Sequence, residues 1–523
     1  MPDKQCLIEV YDKSHGASLE NKIYEAIEKL ESGDKSYLKI VYEAFSLENR
    51  ELVKKAGHAI KAHLKDKTAK YMIALSERFR EYTSLEWFVD WKTIDIRRKK
   101  TWFDSEKDYV YVLIAGSFHP NGYFREICSK ELYYYPNTLG YMLLRANDWV
   151  EQIRKTMFSL VLNKIENCSA AELFLAVQHM KKLSRSSRID YENIEVLSQV
   201  FYDRIAETLP DISLYKIRYY EFETRKIIYK LLVEKKILNI SNMKYLLESE
   251  KHSFCKQILI TGILQYYNCT EEEIEGYLKN KSGIVRRRAM EYKYSAAKDY
   301  WIGLEMMLLD ENKSVRELAA YIIRHHSDIS ILDFYIEHLQ DENPVTAIIG
   351  VGENGRMKQG KLLLPFLKSS VSKVVCAALK ALSKTIEIEG YDIYEEYLVS
   401  KEPAVSKAAY YAIRYNTIYY GAKKLYQYCR QYEYPHIRKY ALNLLIQENS
   451  WNRLPFLLNL YIREEFEVYQ DLILRAIETR DMYGKVSKQQ EEDINRALKE
   501  AEHLLPKQLL KRIQFDMKFL VEK

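Results

Sequence analysis

The chain has 523 residues, 47% hydrophobic and 29% charged, a balance that excludes a largely disordered polypeptide. Its 80 basic and 74 acidic residues leave a net charge of +6, which permits an acidic partner without demanding one. Seven cysteines, at 6, 128, 168, 255, 269, 376 and 429, form no C-x-x-C pair, so neither a zinc site nor a disulfide framework is expected and a reducing cytoplasm suits the chain.

Only 17 Gly and 10 Pro are present, which predicts few tight hairpins and therefore an all-α chain. The opening MPDKQCLIEVYDK lacks the apolar core of a signal peptide, and no apolar run reaches membrane-spanning length, so no membrane partner is expected. Helical pairs of apolar residues four apart then occur at Leu52/Ala56, Phe124/Cys128 and Ile153/Met157, with irregular stretches of 72 and 71 residues after the first and last. Helical periodicity persists there in AAELFLAVQHMKKL and NIEVLSQVFYDRIAETL. The run Arg97-Arg98-Lys99-Lys100-Thr101-Trp102-Phe103, close after Trp87 and Trp91, has two readings: basic residues interleaved with aromatics that bind nucleic acid, or a linker whose aromatics pack inward. His58 and His63 are five apart and so lie on different helix faces, and no metal site is expected there or at His325, His326 and His338.

From residue 224 the chain repeats. The pairs Thr224/Ile228, Phe254/Ile258, Val285/Ala289, Val315/Ala319, Val345/Ile349, Val374/Ala378, Val405/Ala409, Ile437/Ala441 and Val468/Leu472 follow one another at 30, 31, 30, 30, 29, 31, 32 and 31 residues. Each pair predicts the buried stripe of a helix, and Pro344, Pro403 and Pro435 fall where a first turn tolerates proline. A first helix is predicted before each anchor, as in YWIGLEMMLL, ISILDFYIEHL, GKLLLPFL and WNRLPFLLNLYI, two copies sharing LPFL at Leu364–Leu367 and Leu454–Leu457. Such pairs bury their apolar faces only by stacking on neighbours. The expected organisation is an irregular helical region over 1–215, a regular array over 216–485 and capping helices over 486–523.

Within this array Gly350, Gly352 and Gly355 spell G-x-G-x-x-G, and Gly355, Gly360 and Lys361 spell G-x-x-x-x-G-K. A dinucleotide loop needs a preceding strand and an acidic residue about 20 residues on. A Walker loop needs Ser or Thr where Leu362 stands. A glycine-rich turn ending one helix and admitting close packing is the better reading, and no nucleotide cofactor is expected. No G-x-S-x-G, H-E-x-x-H or papain-like cysteine signature occurs, so no catalytic residue is assigned.

Segments such as DENKSVRELAAYIIRHH and YPHIRKYALNLLI resemble the second helix of HEAT repeats, in the short form of phycobilisome-lyase-type HEAT proteins, with Asp310, Val315, Arg316 and Ala319 carrying the pattern most fully. The stretch from His119 to Phe158 is similar to two consecutive HEAT units of bacterial repeat proteins. The resemblance implies an all-α, armadillo-type right-handed α-α superhelix. It also implies that the second helices line a concave face and that the arginine after an anchor pairs with an acidic residue of the inter-helix turn, as Asp310 would with Arg316.

On that face Lys226, Lys256, Arg287, Lys407 and Lys439, two residues after their anchors, should point outward as an interrupted basic ladder. The alternative is a merely solvated face. The expected function is a non-enzymatic scaffold holding a protein or peptide. A nucleic-acid-binding protein, similar in plan to the alkylpurine DNA glycosylases, is the alternative. A phycobilisome-type lyase is a third, for which only the repeat length speaks.

Overall fold

The computed structural model describes residues 16–81, 89–385, 393–481 and 486–520; the opening segment with Cys6, and Trp87 of the basic-aromatic run, lie outside them. Regular structure is helical throughout, with no strand among the described residues. No described helix is long and apolar enough to cross a membrane. Packing density divides the chain into two compact units, Met1–Ala289 and Met290–Lys523. The sequence division at 215/216 marks instead where the thirty-residue period becomes regular, a different property.

In the first unit the helices are α1 (Gly16–Glu31), α2 (Arg50–Leu64), α3 (Ala69–Glu81), α4 (Glu106–Gly116), α5 (Gly122–Glu131), α6 (Leu139–Arg145), α7 (Glu151–Asn167), α8 (Ala170–Leu183), α9 (Tyr191–Thr208), α10 (Phe222–Glu234), α11 (Ile240–Ser249), α12 (Ser253–Tyr266) and α13 (Glu271–Leu278), with shorter turns between; α14 (Gly283–Ala297) spans the division. In the second they are α15 (Lys313–His326), α16 (Ile331–Glu337), α17 (Val345–Asn354), α18 (Ser372–Thr385), α19 (Ile393–Leu398), α20 (Pro403–Tyr415), α21 (Ala422–Gln431), α22 (Pro435–Leu445), α23 (Ser450–Tyr461), α24 (Gln470–Glu478), α25 (Lys488–Ala501) and α26 (Lys507–Leu520). Asn, Ser and Thr side chains accept from the first-turn amides of many of these helices, as Asn49 does for α2, Ser169 for α8 and Asn312 for α15.

In the second unit α17, α18, α20 and α22 pack one on the next, and α17, α20 and α22 each also pack on the helix before them, α16, α19 and α21. The reason is visible in the apolar positions. Val315/Ala319, Val374/Ala378, Val405/Ala409 and Ile437/Ala441 are buried pairs, as are Thr224/Ile228 and Val285/Ala289 in the first unit. Leu52/Ala56, Phe124/Cys128 and Ile153/Met157 are buried as well.

Three anchors are corrected. Phe254 is 47% exposed and the buried pair is Cys255/Leu259, because α12 is capped by His252 and presents the next residue inward. Val345 and Ile349 are half-buried while Ala347, Ile348 and Val351 face the core. There the helix is set by its close neighbours: a Cβ on Gly350 would lie 2.3 Å from the Tyr335 ring, and one on Gly352 2.5 Å from Cβ of Ala381. Val468 is 91% exposed on a 3-10 turn, Glu464–Tyr469, and the buried pair of α24 is Ile473/Ile477.

The predicted first helices also vary. LEMMLL (Leu304–Leu309) and KLLLPFLK (Lys361–Lys368) are 3-10 helices, whereas the second LPFL copy lies in the α-helix α23. The reading of the nucleotide-like glycines is corrected in part: Gly350 and Gly352 lie inside α17 and only Gly355 follows its end, so the first two admit the expected close packing but do not form the turn.

Candidate binding surface

Where an arginine follows an anchor, it is spent on the fold. Arg125 donates to the carbonyls of His119 (2.8 Å) and Pro120 (3.0 Å), Arg225 to Tyr220 (2.7 Å), Arg286 to Asn280 (2.5 Å), Arg316 to Asp310 (2.9 Å) and Glu311 (3.2 Å), and Arg438 to Tyr432 (2.8 Å). In every case the guanidinium reaches back five or six residues, to carbonyls left unsatisfied where the preceding helix ends. Three of these arginines also hold a carboxylate from further along the chain: Asp148 for Arg125 (2.6 Å), Glu250 for Arg225 (3.0 Å) and Glu353 for Arg316 (3.1 Å). Arg316 thus uses the backbone carbonyl of Asp310 and the carboxylate of Glu353, a partner that sequence proximity did not suggest.

The second position divides by repeat. Lys226 is half-buried, paired to Glu223 at 2.9 Å and lying near the rings of Phe222 and Phe254. Lys256 is half-buried because its helix is rotated by one residue, and Arg287 is half-buried with partners of its own in the fold. Lys407 and Lys439 are exposed and make no ion pair among the described residues. Of the five, then, two present an uncommitted charge.

These two belong to a larger feature. The adjoining helices α18, α20 and α22 contain no Asp or Glu and carry Lys373, Lys380, Lys384, Lys407, Arg414, Arg438 and Lys439. Lys373, Lys380 and Lys384 are exposed too. In the repeat register Lys407 and Lys439 are equivalent, and Lys380 is equivalent to Tyr411. Tyr411 (54% exposed) and Tyr415 (68%) share one face of α20, while Tyr410 is buried by stacking on Tyr440 at 4.8 Å. The nearest preceding acids, Glu402 and Glu433, sit in the turns before α20 and α22, at the electropositive helix ends.

The basic-aromatic run of the first unit is built differently. Trp91 is fully buried and packs against His119, the tilted rings 4.2 Å apart at their centres. Lys99 is buried and donates to the Leu47 carbonyl (2.5 Å) and to Glu48 (2.8 Å), and Arg97 chelates Asp95. Two of its four charges are therefore committed locally, while Arg98 and Lys100 are exposed.

A polar cleft of about 510 Å³ opens in the first unit, lined by α3 (Ser76, Glu77), α6 and the turn after it (Leu144, Arg145, Asn147, Asp148, Trp149), and α8 with its following turn (Lys182, Leu183, Ser186, Arg188). Its floor is the fully buried Asp148, which accepts from Arg125 (2.6 and 2.8 Å), Arg145 (3.1 Å) and the Val150 amide (3.0 Å). Burial alone would raise the Asp148 carboxyl; the hydrogen bonds of Arg125 and the charge of Arg145 outweigh it and hold the group at about 2. Asp148 lies five residues before the anchor Ile153, as Asp310 does before Val315, whereas Glu77, Lys182 and Arg188 belong to no motif and are brought to it by the fold.

Among the described residues no three His, Cys, Asp or Glu side chains gather as a metal site. His325 and His326 end α15, and His338 pairs with Asp341 at 2.8 Å. Burial pushes the Cys255 thiol up to about 11 and that of Cys429 to about 12, leaving both protonated at neutral pH and poor nucleophiles. The chain matches no protein-family model and no curated protein sequence.

Proposed function

We propose that the chain is a HEAT-like, armadillo-type helical solenoid working in the cytoplasm as a non-enzymatic scaffold, and that it holds an acidic protein or peptide partner across α18, α20 and α22. The thirty-residue period, the successive packing of second helices and the recurring arginine cap support the repeat reading. The observation that carries the binding reading is the absence of any acidic residue from three adjoining helices whose lysines are exposed and unpaired among the described residues. A surface that only needed solvation would mix both signs.

The nucleic-acid reading has one observation in its favour, the two exposed tyrosines one turn apart beside those lysines, a stacking arrangement seen in single-strand binders. Against it, Arg438 is tied to a carbonyl, so one of the two guanidinium forks on these helices is spent on the fold and the exposed charge is mostly lysine, which lacks the planar fork that matches a phosphate. Fluorescence anisotropy with a labelled Asp/Glu-rich peptide and with a labelled single-stranded oligonucleotide, each over a salt series, separates the two. The expected result is salt-sensitive binding of the peptide, weakened about tenfold or more when Lys380, Lys407 and Lys439 are all changed to Glu. Tighter binding of the oligonucleotide, with a steep salt slope, would establish the alternative. Binding of neither, or binding indifferent to the triple change, removes the surface from consideration.

A further inference from the structure

The cleft of the first unit has a property independent of the repeat face. Its cations outnumber the carboxylates available to answer them. Arg145, Lys182 and Arg188 line it against Glu77 and Asp148. Asp148 is saturated by Arg125, Arg145 and a backbone amide. Glu77 answers Lys182 alone, in a half-exposed pair.

Arg188 is held as a recognition group would be. Its backbone amide donates to Asn147 Oδ1 (2.9 Å), and its guanidinium carbon lies over the Trp149 indole, 3.5 Å from the ring centre. That contact holds the guanidinium and leaves its edge unused: its N–H groups make no hydrogen bond among the described residues. The turn bearing Trp149 is itself rigid. Arg154 donates to the carbonyls of Asp148 (2.8 Å) and Trp149 (3.2 Å), and Arg145, 6% exposed, closes it from within. Trp149 nevertheless stays 63% exposed at the mouth. An indole held at the mouth of a cleft offers a large, rigid apolar surface to the organic part of a ligand.

We propose that this cleft binds a small phosphate monoester. The phosphate dianion sits on the free edge of Arg188 and on Lys182, with Arg145 behind them, and the organic part lies along the Trp149 indole. A planar fork beside an ammonium matches a tetrahedral dianion. A volume of about 510 Å³ lies within the range of small-ligand clefts, about 300–1,000 Å³, and suits a mononucleotide-sized molecule rather than a polymer.

Isothermal titration of the full chain with inorganic phosphate, glycerol 3-phosphate and adenosine monophosphate tests this, with glutarate as a dicarboxylate control. The expected result is saturable binding of both monoesters, tighter than glutarate. Arg188→Gln should weaken it about tenfold or more and Arg188→Lys by less, while Trp149→Ala should weaken adenosine monophosphate more than glycerol 3-phosphate. Circular dichroism of each variant establishes that it is folded. Lys407→Glu with Lys439→Glu, in the other unit, should leave the titration unchanged. Absence of saturable monoester binding at millimolar concentration, or equal affinity in folded Arg188→Gln, overturns the proposal.

Discussion

At the scale of single residues, the first unit rests on buried ionisable groups whose state follows from their surroundings. Replacing Asp148 by Asn removes the carboxylate that the buried Arg125 and Arg145 guanidiniums share. The expected loss is about 3–5 kcal/mol in urea unfolding, the cost of breaking a buried pair from one side. Because the folded carboxyl titrates at about 2 and the unfolded one near 4, this stabilisation is complete above about pH 4 and disappears as pH falls through about 2. Two histidines act in the same direction at higher pH. Burial lowers His119 to about 3 and His179 to about 4, so between those values and about 6.5 the unfolded chain binds protons that the folded one refuses. Stability is therefore full above about pH 7 and falls by about 1.4 kcal/mol per pH unit for each histidine below about 6.5. Since Nδ1 of His119 accepts from the Asn121 amide, His119→Asn keeps an acceptor there. Unfolding measured at pH 7 and pH 5 should show a smaller acid loss in this variant than in the parent chain.

At the scale of elements, the arginine that follows an anchor ties the end of one helix to the start of the next. Replacing Arg316 by Gln removes the donors to the Asp310 and Glu311 carbonyls and strands the Glu353 carboxylate; the expected cost is about 1–3 kcal/mol, measured by chemical denaturation. Close helix approach is a second device. A methyl on Gly352 would meet Cα of Ala381 at 2.6 Å and Cβ at 2.5 Å, backbone that cannot turn aside, so Gly352→Ala should destabilise by about 1–3 kcal/mol although alanine is the better helix former. A gain in stability would mean that α17 and α18 have room to separate.

At the scale of the whole molecule, each compact unit has its own buried core. Ile23, Tyr42, Leu113, Leu197 and Leu259 are among the buried residues of the first, and Leu308, Leu379, Leu445 and Ile513 among those of the second. Because α14 runs across the division, a fragment of residues 1–297 retains it entire. That fragment should show strong helical circular dichroism and a cooperative thermal transition; a fragment without one would mean that the first unit's core is insufficient alone.

The all-helical class and most buried stripes were legible in the sequence, because apolar periodicity and scarce Gly and Pro report on each helix locally. Phe254, Val345 and Val468 misled because an apolar residue followed four later by another also occurs one or a few positions off the true face, and only the neighbour that a helix meets, such as Tyr335 against Gly350, selects the rotation. The lysines of α20 and α22 could be read from their register, whereas Lys226, Lys256 and Arg287 were drawn back toward the fold by partners or helix rotation that spacing does not encode. The Asp148 cleft was invisible for a stricter reason. Asp148 holds the repeat position of Asp310, five residues before an anchor, but Glu77, Lys182 and Arg188 stand in no register with it, so the sequence by itself determined the helices and their stripes, and only tertiary packing decided which charges meet, which are spent on the fold and which remain for a partner.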